Sequence, residues 1–139
     1  MYLNKIRTVS PLAAGEIDLA STGVVQYFVL SDSAKVTRCI AMVSTALVST
    51  GAVVLSFYQR PTHGSTSGEV LIATLTVPAA TAVGSSLYKD VAGVTVQAGQ
   101  EVVVKVVTAA TTSGKCILNF VGDEAPEIAA NLSKLTLSA

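Results

Sequence analysis

The stretch Val91-Ala-Gly-Val-Thr-Val-Gln-Ala-Gly-Gln-Glu-Val-Val-Val-Lys-Val-Val107 decides the fold. It reads as a short strand, a tight turn at Ala98-Gly99 and a long strand. Valine is stiff at its first side-chain torsion and fits a pleated, half-buried surface, which favours strand over helix. Along the long strand, Val102, Val104 and Val106 form one face, expected to point inward. Glu101, Val103, Lys105 and Val107 form the other. The outward set is half valine, so a neighbouring strand, loop or subunit is expected to cover it.

The same pattern runs through most of the chain on either side. Ile17 to Leu19 reads as a short strand, and Thr22-Gly23 turns the chain. Val24 to Leu30 is apolar on both faces, which predicts a strand covered twice. Lys35 to Val43 alternates, Ala46 to Val48 follows, and Ser49-Thr50-Gly51 is a turn. Ala52 to Tyr58 alternates with Val53, Leu55 and Phe57 inward. Gln59 to Gly68 is a polar loop. Glu69 to Val77 is a strand with Leu71, Ala73, Leu75 and Val77 on one face, ended by Pro78, which cannot donate to a ladder. Leu87 to Val91 pairs briefly before the strand Val94 to Gln97, and Cys116 to Val121 is the last strand of the body. No window holds an amphipathic helical stripe with caps over three turns.

About eight short strands at spacings near ten residues, joined by Gly, Pro and Ser turns, predict an all-β fold: a two-sheet antiparallel β-sandwich. A jelly roll and an immunoglobulin-like Greek key both fit the count. The jelly roll is favoured because Gln59–Gly68 and Pro78–Ser86 are long enough to cross between sheets. The domain reading is an N-terminal arm over 1–15, the sandwich over 16–122 and a C-terminal tail over 123–139. In that tail Leu132, Leu135 and Leu137 lie among polar residues, a pattern that suits ordering on a neighbour.

Composition narrows what such a sandwich does. Half of the 139 residues are hydrophobic, only 13% are charged, and the formal net charge is zero. An average globular chain carries about 25% charged residues. Here Ser, Thr, Ala and Gly take their place, and neutral hydroxyls cost less to desolvate than ions do. With little repulsion between copies, such a surface suits protein–protein contact. The charges are scattered and no basic stripe carries interleaved aromatics, which speaks against nucleic acid. No apolar run follows Lys5 and Arg7, so no secretory signal is expected. The most apolar window, Ile40 to Phe57, breaks at Thr50-Gly51 and reads as two strands and a turn rather than a membrane helix.

No catalytic, cofactor-binding or metal-binding constellation is expected. Cys39 and Cys116 are the only cysteines and His63 the sole histidine, too few ligands for a zinc site. The cysteines read as buried thiols rather than a disulfide. Asp123-Glu124, with Glu127 nearby, reads as a solvated turn. A hydrolase would need His63 to meet an acid such as Asp90 and a serine, but His63 lies in a Thr/Gly/Ser loop without a nucleophile elbow. Gly64 to Gly68 lacks the lysine and following helix of a phosphate loop. Tyr27, Phe28, Phe57, Tyr58, Tyr88 and Phe120 read as core and sheet-edge packing, with the tyrosine hydroxyls at the rim.

The run Glu69–Val77, Pro78-Ala-Ala-Thr-Ala-Val-Gly84, Leu87-Tyr-Lys-Asp-Val91, Val94-Thr-Val-Gln-Ala-Gly-Gln-Glu-Val-Val-Val104 and Ala109-Ala-Thr-Thr-Ser-Gly114 resembles the β-rich head decoration proteins of tailed bacteriophages, also called cement or auxiliary capsid proteins. The likeness spans roughly residues 15 to 122. It implies a non-enzymatic structural virion protein, made in the host cytoplasm and placed on the capsid exterior. It further implies a homotrimer at threefold positions, bridging neighbouring subunits of the major capsid protein. The alternative reading is a glycan- or receptor-binding module of a phage fibre or adhesin.

Overall fold

A computed structural model describes residues 8–9, 15–30 and 33–123. These residues form nine strands and no helix: β1 Thr8–Val9, β2 Glu16–Asp18, β3 Gly23–Val29, β4 Ala34–Val48, β5 Val53–Arg60, β6 Val70–Val77, β7 Ser86–Val96, β8 Glu101–Thr108 and β9 Ser113–Asp123. One sheet has the order β1-β9-β4-β7, with β2 also on β9; the other has the order β3-β8-β5-β6. Every pairing is antiparallel. The fold is the expected two-sheet β-sandwich.

Its ladders are nested. β5 pairs β6, β4 pairs β7, β3 pairs β8 and β2 pairs β9. A long two-stranded ribbon, folded over so that β4 meets β9 and β5 meets β8, produces this order. That is jelly-roll connectivity, and it decides between the two topologies that strand count left open. Of the two connections expected to cross, the one after Val77 does pass between sheets, whereas Gln59–Gly68 closes the β5–β6 hairpin within one sheet. The arm and tail expected at either end fall mostly outside the described residues. Within the description, Thr8–Val9 pairs the end of β9 at Asp123 and Gly122.

The core is what the alternation of β5 and β8 dictates. Val53, Leu55 and Phe57 meet Val102, Val104 and Val106 from the neighbouring strand, and all six are buried. Phe120 comes across from β9, its ring edge-on to Phe28 with centroids 5.4 Å apart. Cys39 and Cys116 are buried, unpaired thiols. They oppose Phe120 and Val43 respectively, not each other. Burial pushes both thiols up to about 12, and the thiolate is the reactive form. Both cysteines should therefore resist iodoacetamide in the native protein and react only after denaturation. Rapid native labelling of either one, read by mass spectrometry, would contradict this packing.

Several faces differ from expectation, each for a local reason. β3 is covered once rather than twice: Phe28 and Leu30 are buried, whereas Tyr27 and Val29 face solvent. In β6 an extra residue interrupts the pairing where Phe57 opposes Ala73 but Tyr58 opposes Leu71. Such a bulge breaks the period of two. Ile72 and Ala73 are consequently both buried, and Leu71 is turned out of the core. The two segments Lys35–Val43 and Ala46–Val48 are one long β4, bent by register shifts near Thr37, Ser44 and Ala46. Likewise Leu87–Val91 and Val94–Gln97 merge into β7, and β9 begins earlier and ends later than Cys116–Val121.

The Ala98-Gly99 turn is tight, as expected, but it is a corner between the sheets rather than a hairpin. β7 belongs with β4, and β8 belongs with β3 and β5. Gln100 N donates to Gln97 O at 3.0 Å, and Gly99 N donates to Leu30 O at 2.8 Å. Gly99 has φ +84°, a left-handed conformation that side chains resist, so glycine is required there. Ser33 Oγ locks the corner by accepting from Ala98 N at 3.0 Å and donating to Gln97 Oε1 at 3.0 Å.

Candidate functional surface

The outer face of the β3-β8-β5-β6 sheet carries the densest arrangement of polar chemistry among the described residues. Alternation puts Glu101, Val103 and Lys105 of β8 on that face. Register then sets Tyr27 and Tyr58 on either side of Val103, and Arg60 opposite Glu101. Val103 is fully buried although it faces away from the core. The cover expected for this strand is thus supplied within the chain, by the two flanking tyrosines. Val107, at the end of the same face, is exposed.

Around the tyrosines lies an ion network. Glu69, just ahead of β6, accepts from Arg60 Nε at 3.0 Å and Nη2 at 2.8 Å, and its other oxygen accepts from Lys105 Nζ at 2.6 Å. Arg60 Nη1 also stands 3.7 Å from Glu101 Oε1. The side chains of Arg60 and Glu101 are only 5% and 2% exposed. His63, from the β5–β6 loop, places Nδ1 2.9 Å from Glu101 Oε2 and tilts its ring against Tyr27 at 5.1 Å. Lys105 Nζ lies 4.5 Å above the Tyr58 ring, a cation–π arrangement. Two acids face two basic side chains, so the cluster is matched in formal charge. Among the fully buried side-chain nitrogens and oxygens of the described residues, Glu101 Oε1 is the one without a hydrogen-bond partner.

Burial by itself would raise the carboxyl of Glu69. Hydrogen bonds and charge from Lys105 and Arg60 outweigh it and lower the carboxyl below the ordinary 4.5. For Arg60, burial favours the neutral form, yet Glu69 and Glu101 overcome this and hold it charged. The sign of the linkage follows from Glu69. A carboxylate whose folded pKa is depressed stabilises the fold above its unfolded value, and that stability drains away as pH falls through the folded value. Unfolding free energy should therefore decline from about pH 4.5 downward, and Glu69→Gln should flatten that decline. Urea titrations at stepped pH would show it; identical slopes for both proteins would exclude the assignment.

The residues weighed for chemistry are not brought together. Asp90 lies on the other sheet, where it accepts from Arg38 Nε at 2.6 Å, and that guanidinium stacks 4.3 Å over Tyr88. His63 is instead engaged with Glu101. Asp123 closes β9 opposite Lys35, while Glu124 and Glu127 lie outside the described residues. Among the described residues no group of three or more His, Cys, Asp or Glu side chains is placed to hold a metal ion. No described helix is long and apolar enough to cross a membrane.

The network escaped sequence reasoning because its members come from separate segments: Arg60 and His63, Glu69, and Glu101 with Lys105. One signal was present. Glu101 and Lys105 interrupt a valine strand on the same face, four residues apart, where unneeded charges would be costly.

Exposed apolar side chains gather around this polar centre. Val24, Tyr27 and Val29 of β3, Leu71 of β6 and Val107 of β8 all lie open on this face. The surface combines a fixed aromatic and ionic middle with an apolar margin, a composition suited to a protein partner. Compared with known proteins, the chain matches no family model and no curated sequence.

Proposed function

We propose that this chain is a non-enzymatic structural protein of a tailed-phage head, which binds the outer surface of the capsid and stabilises it by bridging neighbouring major capsid subunits. The observation that carries the reading is the outer face of the β3-β8-β5-β6 sheet, where exposed valine, leucine and tyrosine side chains surround a charge-matched ion network. Apolar area of this kind favours burial against protein. The low charge of the whole chain supports the same role, as does the sequence resemblance to decoration proteins.

The working form is a homotrimer, and the terminal segments 1–15 and 123–139 supply further grips on the shell. Individually weak contacts made by three linked subunits raise the overall affinity by ~10²–10⁴. Purified protein should bind heads assembled without it, occupy discrete lattice positions by electron cryomicroscopy, and raise the temperature at which the heads rupture. Deleting both terminal segments should reduce occupancy. Failure to bind such heads, together with a clear hit on a glycan array, would instead establish the receptor-binding alternative.

A further inference from the structure

The two sheets treat their edges differently. In the sheet containing β9 and β4, one edge is made by the two-residue β1 and the three-residue β2, the latter with Glu16 and Asp18, and the other edge is β7, with Lys89 and Asp90. Short length and charge are the usual devices that stop an edge strand from pairing with another chain. The other sheet lacks them. Its edge β3 lies in a stretch with no charged residue between Asp18 and Asp32, and its edge β6 in a stretch with none between Glu69 and Lys89. Among the described residues β3 pairs only β8, and β6 pairs only β5. β7 packs beside β6 at the corner of the sandwich without joining its ladder. Exposed apolar side chains mark both edges: Val29 is 67% exposed on β3 and Leu71 51% exposed on β6.

We propose that this sheet continues from one copy of the chain into the next, β3 of one subunit pairing with β6 of its neighbour. Three observations select this arrangement. The strands alternate in direction across β3-β8-β5-β6, so β3 and β6 run antiparallel. Copies set side by side in the same orientation then present β6 to β3 in the sense an antiparallel ladder needs. The lengths match, at seven and eight residues. The contact also uses both uncharged edges of every subunit, whereas a twofold pairing of β3 with β3 would leave β6 open. A head-to-tail contact generates a ring when the rotation closes. The inference rests on the self-association proposed above and names its contact.

The test uses the full chain and three lysine variants at exposed positions. Val29→Lys places a charge on the β3 edge and Leu71→Lys on the β6 edge. Val107→Lys places one on the same outer face, but on the interior strand β8. Circular dichroism melts first establish that each variant folds. By analytical ultracentrifugation the wild type should form a closed oligomer, with slowed amide exchange along β3 and β6. Val29→Lys and Leu71→Lys should each weaken assembly by about tenfold or more, the equivalent of roughly 1.4 kcal/mol. Val107→Lys should assemble like wild type.

Mixing the two edge variants is the decisive step, because together they retain one unmodified β3 and one unmodified β6. The mixture should form a heterodimer. Three results would overturn the proposal: Leu71→Lys still dimerising alone, equal weakening by Val107→Lys, or a wild type that stays monomeric with unprotected edge amides at millimolar concentration. Whether the protein coats phage heads is read separately from occupancy on particles. A correct edge contact with no head binding, or head binding by an unimpaired Val29→Lys, would therefore tell the two readings apart.

Discussion

Replacing Arg60 with alanine should destabilise the protein by about 3–5 kcal/mol, the usual cost of leaving a buried charge without its partner. Arg60 serves two carboxylates, with hydrogen bonds to Glu69 and a longer ion pair to Glu101. Glu69 would keep Lys105. Glu101 would keep only the largely exposed His63, and its Oε1 already lacks a hydrogen bond. Removing the acid together with the base should reverse most of the loss, because a buried ion pair is often no more stabilising than apolar side chains of similar volume. The double variant Arg60→Met/Glu101→Leu should therefore be markedly more stable than Arg60→Ala. Urea unfolding monitored by circular dichroism measures both. A loss below about 1 kcal/mol for Arg60→Ala would mean that water reaches the pair and screens it, as at an exposed site.

The second large effect should come from Phe120→Ala, again about 3–5 kcal/mol. Phe120 is fully buried, and it is the aromatic that β9 sends toward the opposite sheet. Truncation removes its transfer energy and leaves a cavity that two hydrogen-bonded sheets cannot readily close. It also removes the edge-on contact with Phe28, worth about 0.5–1.5 kcal/mol beyond area burial. Phe28→Ala should weaken the same contact from the β3 side. A double-mutant cycle over the pair isolates the ring–ring contribution; a coupling indistinguishable from zero would show that only apolar volume matters here.

Legibility in the sequence tracked the regularity of each strand. β5 and β8 keep an uninterrupted alternation along Val53 to Phe57 and Val102 to Val106, and those inward sets are the observed core. β6 misled because one extra residue shifts the period. Counting in twos from Val77 back to Leu71 crosses the bulge at Ile72 and assigns Leu71 to the wrong face. β3 misled for another reason: apolar residues on both faces look the same whether the second cover is present or the edge lies open. The ion network depends on which strands are neighbours. Nothing near Arg60 in the sequence indicates Glu101, because only the jelly-roll order lays β5 against β8.

The nested ladders carry a consequence for how the chain reaches this state. The β5–β6 hairpin joins segments close in sequence, while β2 and β9 join the two ends of the sandwich. Closing a long loop costs entropy before its contacts repay it, so the ribbon is expected to zip outward from the β5–β6 hairpin. In pulse-labelled hydrogen exchange during refolding, amides of β5 and β6 should gain protection before those of β2 and the facing part of β9. Simultaneous protection of all four would point instead to a single diffuse nucleus. The ladder that closes the sandwich is then expected to form last, and until it does Cys116, which Ile17 of β2 opposes, lacks that neighbouring strand.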